Sequence, residues 1–302
     1  MTGYAALAAD GASALVAQLG AELRSWRPAG GPELMWHGDP AHWPFWAPLL
    51  FPIVGSLKDD RYAWRGRSYA MFRHGFTRFR PFKFVPPPAF QGRDGVGGDI
   101  AGFELTDDET TRAEYPFAFQ LLATYALTAR TLELGFRVEN PGEEAMPYAL
   151  GWHPAFLWPF AGGDKERYRV DFEKDEADTV PALTATGLIR RDLRPSTIDG
   201  RTLRLSPALF EGGAILLADA ASREMAFTAP DGAAIMMTAE DMPHLVVWTK
   251  PTAPYISLEA WTAHSDFEDG DGMLETKPGM RWLSPGETAR HSVRLTWRPA
   301  GC

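Results

Sequence analysis

Apolar and polar residues alternate with a period of two along nearly the whole chain, the pattern of strands that bury one face of a sheet. Leu132, Leu134, Phe136 and Val138 share one face, with Thr131, Glu133 and Arg137 on the other. Tyr168, Val170 and Phe172 alternate with Arg169 and Asp171, and Leu203 and Leu205 with Thr202 and Arg204. Val293, Leu295 and Trp297 alternate with Ser292, Arg294 and Thr296. Turn-forming clusters punctuate these runs at Pro28-Ala29-Gly30-Gly31, residues 95–99, Asn140-Pro141-Gly142, Asp199-Gly200, Pro230-Asp231-Gly232 and Ser284-Pro285-Gly286. No segment sustains an i, i+3, i+4, i+7 apolar stripe, so helix is expected only as short turns near residues 39–43 or 174–178. Many short strands, with 29 glycines and 25 prolines in 302 residues, predict an all-β protein built as a large antiparallel sandwich or barrel. Pro86-Pro87-Pro88 and residues 91–100 read as surface loop, because strand patterning resumes on both sides. Residues 1–302 are therefore read as a single domain.

A hydrophobic content of 45% supports a sizeable core. The net charge of −9 argues against nucleic acid and anionic membrane surfaces as partners, and the arginines are scattered, as at Arg61, Arg65 and Arg67. Cys302 is the single cysteine, which rules out an intrachain disulfide and makes thiol chemistry an unpromising reading. Residues 1–20 are alanine-rich but lack a cationic leader. Asp10 interrupts them, and Ala14-Leu15-Val16-Ala17 is too short for a secretory core. No later stretch approaches 18 apolar residues, so a soluble, cytoplasmic protein is expected.

The seven histidines form no local metal-binding pair and HExxH is absent, so no metal or other cofactor is expected. GxSxG, P-loop and helix-opening GxGxxG signatures are missing, and Gly95-Val96-Gly97 reads as loop. Three stretches carry candidate chemistry. In Gly151-Trp152-His153-Pro154-Ala155-Phe156, Pro154 biases His153 towards extended geometry and aromatic residues flank an imidazole able to exchange protons near neutrality. Taken alone, that stretch is more often a packed, hydrogen-bonded structural histidine. In Arg73-His74-Gly75-Phe76-Thr77-Arg78, a glycine after a cation-flanked histidine suggests a bend where backbone approaches a ligand. In Tyr255-Ile256-Ser257-Leu258-Glu259-Ala260-Trp261, strand parity puts Ser257, Glu259 and Trp261 together, facing either solvent or a cleft. An indole beside a carboxylate can grip a sugar by its C–H face and its hydroxyls.

Taken together, four separated stretches resemble the aldose 1-epimerase (galactose mutarotase-like) family. They are Leu50-Phe51-Pro52-Ile53-Val54-Gly55 running on to His74-Gly75-Phe76-Thr77-Arg78; Asn140 through Met146-Pro147 to Gly151–Phe156; Ser257-Leu258-Glu259-Ala260-Trp261; and Lys277-Pro278-Gly279-Met280 with Leu283-Ser284-Pro285-Gly286-Glu287. The resemblance implies a β-supersandwich with an open sugar cleft on one sheet. It also implies His153 as general acid on the ring oxygen, Glu259 as general base on the anomeric hydroxyl, and His74 as the second active-site histidine. On the same basis Trp248 and Arg78 are pocket residues. Two departures stand out: Ser56 occupies the place of an arginine after Pro-Ile-Val-Gly, and Gly213 and Ala214 fall where a sugar-binding aspartate is expected.

The expected reaction interconverts the α and β anomers of a hexose by ring opening and closure. An acid and a base held on opposite sides of the ring suffice, with His153 protonated and Glu259 ionised at neutral pH. Three other readings stay open. One is a non-catalytic carbohydrate-binding protein on the same fold. Another is a hexose-6-phosphate mutarotase, with Arg73 and Arg78 clamping the phosphate. The third is a glycosidase or lyase, and hydrolysis wants two carboxylates where only Glu259 has a supporting motif. The expected partner is a small sugar and the expected assembly a monomer or homodimer.

Overall fold

Residues 3–86 and 98–301 are described in a computed structural model of the protein. Pro87, Pro88, the Gly95-Val96-Gly97 triplet and Cys302 lie outside the described residues, as does most of the surface loop expected at 91–100. The described chain is almost entirely antiparallel β-structure. Its larger sheet has ten strands in the order Ile198–Asp199, Thr202–Arg204, Arg169–Phe172, Glu224–Thr228, Ala234–Glu240, Thr288–Arg298, Thr131–Glu139, Gln120–Leu127, Asp99–Thr106 and Lys83–Val85. A second sheet runs Ile215–Leu217, His244–Trp248, Tyr255–Trp261, Gly151–Trp152 and Leu49–Leu50, with Ala155–Leu157 also paired to Tyr255–Trp261. Tyr4–Ala9, Ala12–Ala17 and Leu23–Arg27 form a separate three-stranded sheet.

The period-two faces define the sandwich. Leu132, Leu134, Phe136 and Val138 are buried in one continuous core with Val293 and Leu295 from the neighbouring strand. Leu245, Val247, Ile256, Leu258 and Ala260 of the second sheet enter that same core. The opposite face of the second sheet carries Val246, Trp261 and Leu216 in a smaller cluster with Leu50 and Val54. Both faces of Tyr255–Trp261 are therefore buried, as is typical of a central strand.

Helical expectations need correction. Residues 39–43 close one hydrogen-bonded turn onto the Asp39 carbonyl and go no further, because Pro44 turns the preceding residue extended. Residues 174–178 are not helical: Ser222 takes the Lys174 N–H, and the Glu176 carboxylate accepts from Ala221 and Ser222. The α-helix that does form, Glu109–Glu114, is too short to show an apolar stripe. A capping box between Asp108 and Thr111 starts it, a signal readable in the sequence but overlooked.

The bend expected at His74-Gly75 is present, with both residues at positive φ (68° and 73°). It brings backbone close to backbone. Phe76 N–H donates to the Phe51 carbonyl, and a Cβ at position 75 would lie 2.1 Å from that oxygen. Left-handed geometry alone costs a non-glycine residue roughly 1–2 kcal/mol. Gly75→Ala is therefore expected to destabilise the protein by at least ~2 kcal/mol in urea unfolding, since the clash adds to the strain. A midpoint within a few tenths of a kcal/mol of the parent would refute this account of the turn.

Candidate active site

Strand parity on the second sheet decides what faces the pocket. Val246 pairs with Glu259 and Trp248 with Ser257, so Trp248 and Glu259 share the face turned away from the sandwich core. Gly151 pairs with Trp261 and Trp152 with Ala260. Two residues past Gly151, His153 returns to the Glu259 face, with its N–H donated to the Pro48 carbonyl. Of the two directions open to Glu259, the cleft is the one taken. His74 arrives from the other side, carried by the Gly75 bend.

These side chains line a pocket of about 590 Å³, within the range of small-molecule sites. Its wall includes Arg73, His74, Arg78, His153, Trp248, Glu259 and Trp261. Every site residue expected from the sequence thus reaches one hollow. Three contributors were missed. Trp43 stacks on His153 (ring centroids 4.7 Å apart, planes 26° apart). Glu211, two residues before Gly213, is also a lining residue, near the place where the expected aspartate is missing. The turn at Thr184, Ala185 and Gly187 adds a rim. Trp43 sits in the aromatic, proline-flanked run Trp43-Pro44-Phe45-Trp46, a composition that could have flagged it. The other two are surface turn residues with no motif of their own.

Ser56 is similarly compensated. Arg73 Nε donates to Ser56 Oγ at 2.7 Å and its guanidinium also reaches the Thr186 carbonyl, so a cation stands at this position from another segment. Arg78 donates to the Arg73 carbonyl and lies over Phe45 and Phe79. Among the described residues, neither Arg73 nor Arg78 has a carboxylate within ion-pair distance.

At the pocket floor His153 Nε2 lies 3.2 Å from Glu259 Oε1, with His153 6% and Glu259 1% exposed. Burial raises the Glu259 pKa well above the ordinary carboxylate value, only partly offset by the Trp261 indole beside it. Burial drives His153 down to about 3, only partly offset by its own backbone, and Arg78 and Arg73 push it the same way as burial. The pair therefore holds one proton, and in the free site burial favours the neutral arrangement, carboxyl protonated and imidazole neutral. Attraction within the pair does not repay the desolvation of both charges there; the imidazolium facing a carboxylate is the arrangement expected with a sugar bound. His74 is also held neutral, by burial first and then by His153, Arg78, Arg73 and Lys277. Its Nδ1 accepts the Gly55 N–H at 3.1 Å, which places its remaining proton on Nε2 as a donor.

Among buried polar atoms lacking a hydrogen-bond partner are His153 Nδ1, Glu259 Oε2, Trp261 Nε1 and Arg78 Nε, all on residues lining this pocket. Each such orphan costs roughly 1–3 kcal/mol, so the hollow suits a ligand rich in hydroxyls. Among the described residues no three His, Cys, Asp or Glu side chains converge as metal ligands, and no helix is long and apolar enough to cross a membrane.

Fold and site together define a β-sandwich with a proton-sharing His–Glu pair at the floor of an open polar pocket. Comparison with known proteins places it: residues 5–296 match the aldose 1-epimerase family, and the chain belongs to that family. Protein LacX (chromosomal) of Lactococcus lactis is 31% identical over 289 residues, covering 92% of this chain and 94% of that protein. A galactose mutarotase-like protein from Lactobacillus casei superposes with a TM-score of 0.87 at 26% identity, covering 98% of this chain and 100% of that one. A galactose mutarotase related enzyme from Lactobacillus acidophilus gives 0.84 at 27%, covering 99% and 98%.

The neutral histidines bear on stability. His74, His153, His244, His264 and His291 all have lowered pKa values, so below ~6.5 the unfolded chain binds protons that the folded chain refuses. Raised Glu22 and Glu259 act oppositely, holding protons in the folded state above 4.5 that the unfolded chain releases. His153 and Glu259 nearly cancel, since the pair keeps about one proton in either state. Four histidines then outweigh Glu22, and stability is expected to fall between pH 6.5 and 5, each histidine adding up to ~1.4 kcal/mol per pH unit. Urea unfolding across that range checks it. A flat or opposite trend would contradict the neutral assignments.

Proposed function

We propose that the protein is an aldose 1-epimerase that interconverts the anomers of a hexose, with His153 as general acid and Glu259 as general base. The carrying observation is the 3.2 Å approach of the two buried groups at the pocket floor. The ring oxygen and the anomeric oxygen are bonded to the same carbon, so the acid and base they require belong side by side, as found here.

The proton count closes. With closed sugar bound, the shared proton sits on His153 Nε2 and Glu259 is ionised. His153 gives its proton to the ring oxygen while Glu259 takes the hydroxyl proton, and the ring opens to the aldehyde. The pair is left as neutral imidazole and protonated carboxyl, the arrangement burial favours. After rotation about C1–C2, Glu259 returns a proton to the carbonyl oxygen as His153 removes one from the hydroxyl that re-forms the ring. The Nε2–H of His74 is a neutral donor for the anomeric oxygen. Trp248 and Trp261 offer flat faces to the sugar, and Arg78 offers a cation.

Two pocket cations without a directly paired carboxylate, Arg73 and Arg78, favour a second reading, in which the hexose carries a 6-phosphate, with Glu22 partly offsetting Arg78. Polarimetry on fresh α-glucose, α-galactose and their 6-phosphates decides between the readings. Binding without faster equilibration would instead select a carbohydrate-binding module.

His153→Gln and Glu259→Gln keep shape but remove the proton transfer, and each is expected to lower kcat by about 10²–10⁴ without unfolding the protein. Normal turnover in either would reject the assignment. Because burial holds His153 down to about 3 and so keeps it from taking a second proton onto the pair near neutrality, kcat/KM, which reports the free enzyme, is expected not to fall on the acid side of pH 6.5. An inflection near 6.5 would mean an ordinary, solvated histidine.

A further inference from the structure

Among the described residues, no other residue hydrogen-bonds the His153 ring from behind. Its Nε2 meets Glu259, and Nδ1 is buried without a partner. Catalytic imidazoles are commonly oriented by a carboxylate or carbonyl on the second nitrogen. Here aromatic rings stand in that role. Trp43 lies flat on the imidazole at 4.7 Å, while Trp248 and His74 meet it edge-on at 5.5 and 5.8 Å. Trp43 is itself fixed. Tyr255 stacks on it, Trp248 abuts its edge, and its carbonyl accepts the Trp36 indole N–H at 2.9 Å. The following residues tie its loop to the His153 strand, through Trp46 carbonyl to Ala155 N–H and Pro48 carbonyl to His153 N–H.

We infer that Trp43 is the positioning residue of the site: its indole face, in place of a hydrogen-bonded third group, holds the His153 ring so that Nε2 meets Glu259 and the sugar. A flat aromatic clamp restrains rotation without binding a ring proton, so Nε2 is free to give up and regain its own. The π face also favours the imidazolium while it exists. Around the ring, Glu259 favours the cation, whereas His74, Arg73 and Arg78 oppose it; Tyr255 presents a neutral phenol.

The inference rests on the proposed role of His153, but one arm of its test does not. Trp43→Leu keeps apolar bulk without the aromatic face, Trp43→Phe restores a smaller face, and Trp43→Met replaces Leu should that variant not fold. In ¹⁵N-histidine spectra of the free protein, with His153 assigned by its loss in His153→Gln, the two ring nitrogens are expected to be distinct in the parent and Trp43→Phe. In Trp43→Leu they should converge as the ring reorients. In polarimetric assays Trp43→Leu is expected to lose roughly ten- to a hundredfold in kcat with KM changed less than about threefold, Trp43→Phe recovering most of the loss. An unchanged His153 spectrum in Trp43→Leu overturns the inference. So does a rise in KM at constant kcat, which would make Trp43 a sugar platform only. If the parent turns over no sugar, the functional reading fails while the spectra still decide the role of Trp43.

Discussion

A carboxyl group and an imidazole kept dry and side by side must share one proton, and the surrounding structure serves that constraint. Burying either group alone would leave an orphan costing several kcal/mol if charged. Together at 3.2 Å, His153 and Glu259 satisfy each other as a neutral pair. The neutral state is the one the proposed reaction returns to when the sugar ring is open. What penalises charge in the free site thus brings the open-chain state nearer to the closed one, provided the sugar oxygens replace the lost hydration.

Maintaining that geometry calls on segments far apart in the chain. The Gly75 bend rests against the Phe51 carbonyl and delivers His74 in a single tautomer, through Gly55. Ser265 Oγ accepts the Ser56 N–H, and the Ser56 carbonyl accepts the Asp266 N–H. Asp266 is in turn held by Lys277, an ion pair buried on both sides. Lys277 stands in the Lys-Pro-Gly-Met motif, whose part in the resemblance therefore has a structural cause: it locks the loop beneath the pocket wall. Removing one member of such a buried pair strands the other charge.

The two departures from the family pattern have the same physical character. An arginine reaches Ser56 from position 73, and an acidic residue, Glu211, is among the lining residues two positions before Gly213. A residue of the expected charge type is found near each place, at a different position in the sequence. A ligand senses charges and shape in space, so the chemical outline of a polar pocket can survive while the sequence positions supplying it change. What moves with them is the detailed placement of donors, which is where preference among hexoses, or for a phosphorylated one, would reside.

Much of this was legible in the primary structure. The alternation at residues 131–138 and 292–297 named the core faces correctly, because a strand places successive side chains on opposite sides whatever it pairs with. Pro154 and the parity of 257, 259 and 261 likewise assigned His153 and Glu259 their local directions. Parity could not say which side of the strand was core and which was cleft, since that depends on where the second sheet lies. Nor could it reveal the 3.2 Å contact, the neutral state that burial imposes, or the stacking of Trp43, all of which arise from segments more than a hundred residues apart. Local backbone geometry is written in neighbouring residues; distances between remote groups, and the dielectric around them, come into being only when the sheets pack.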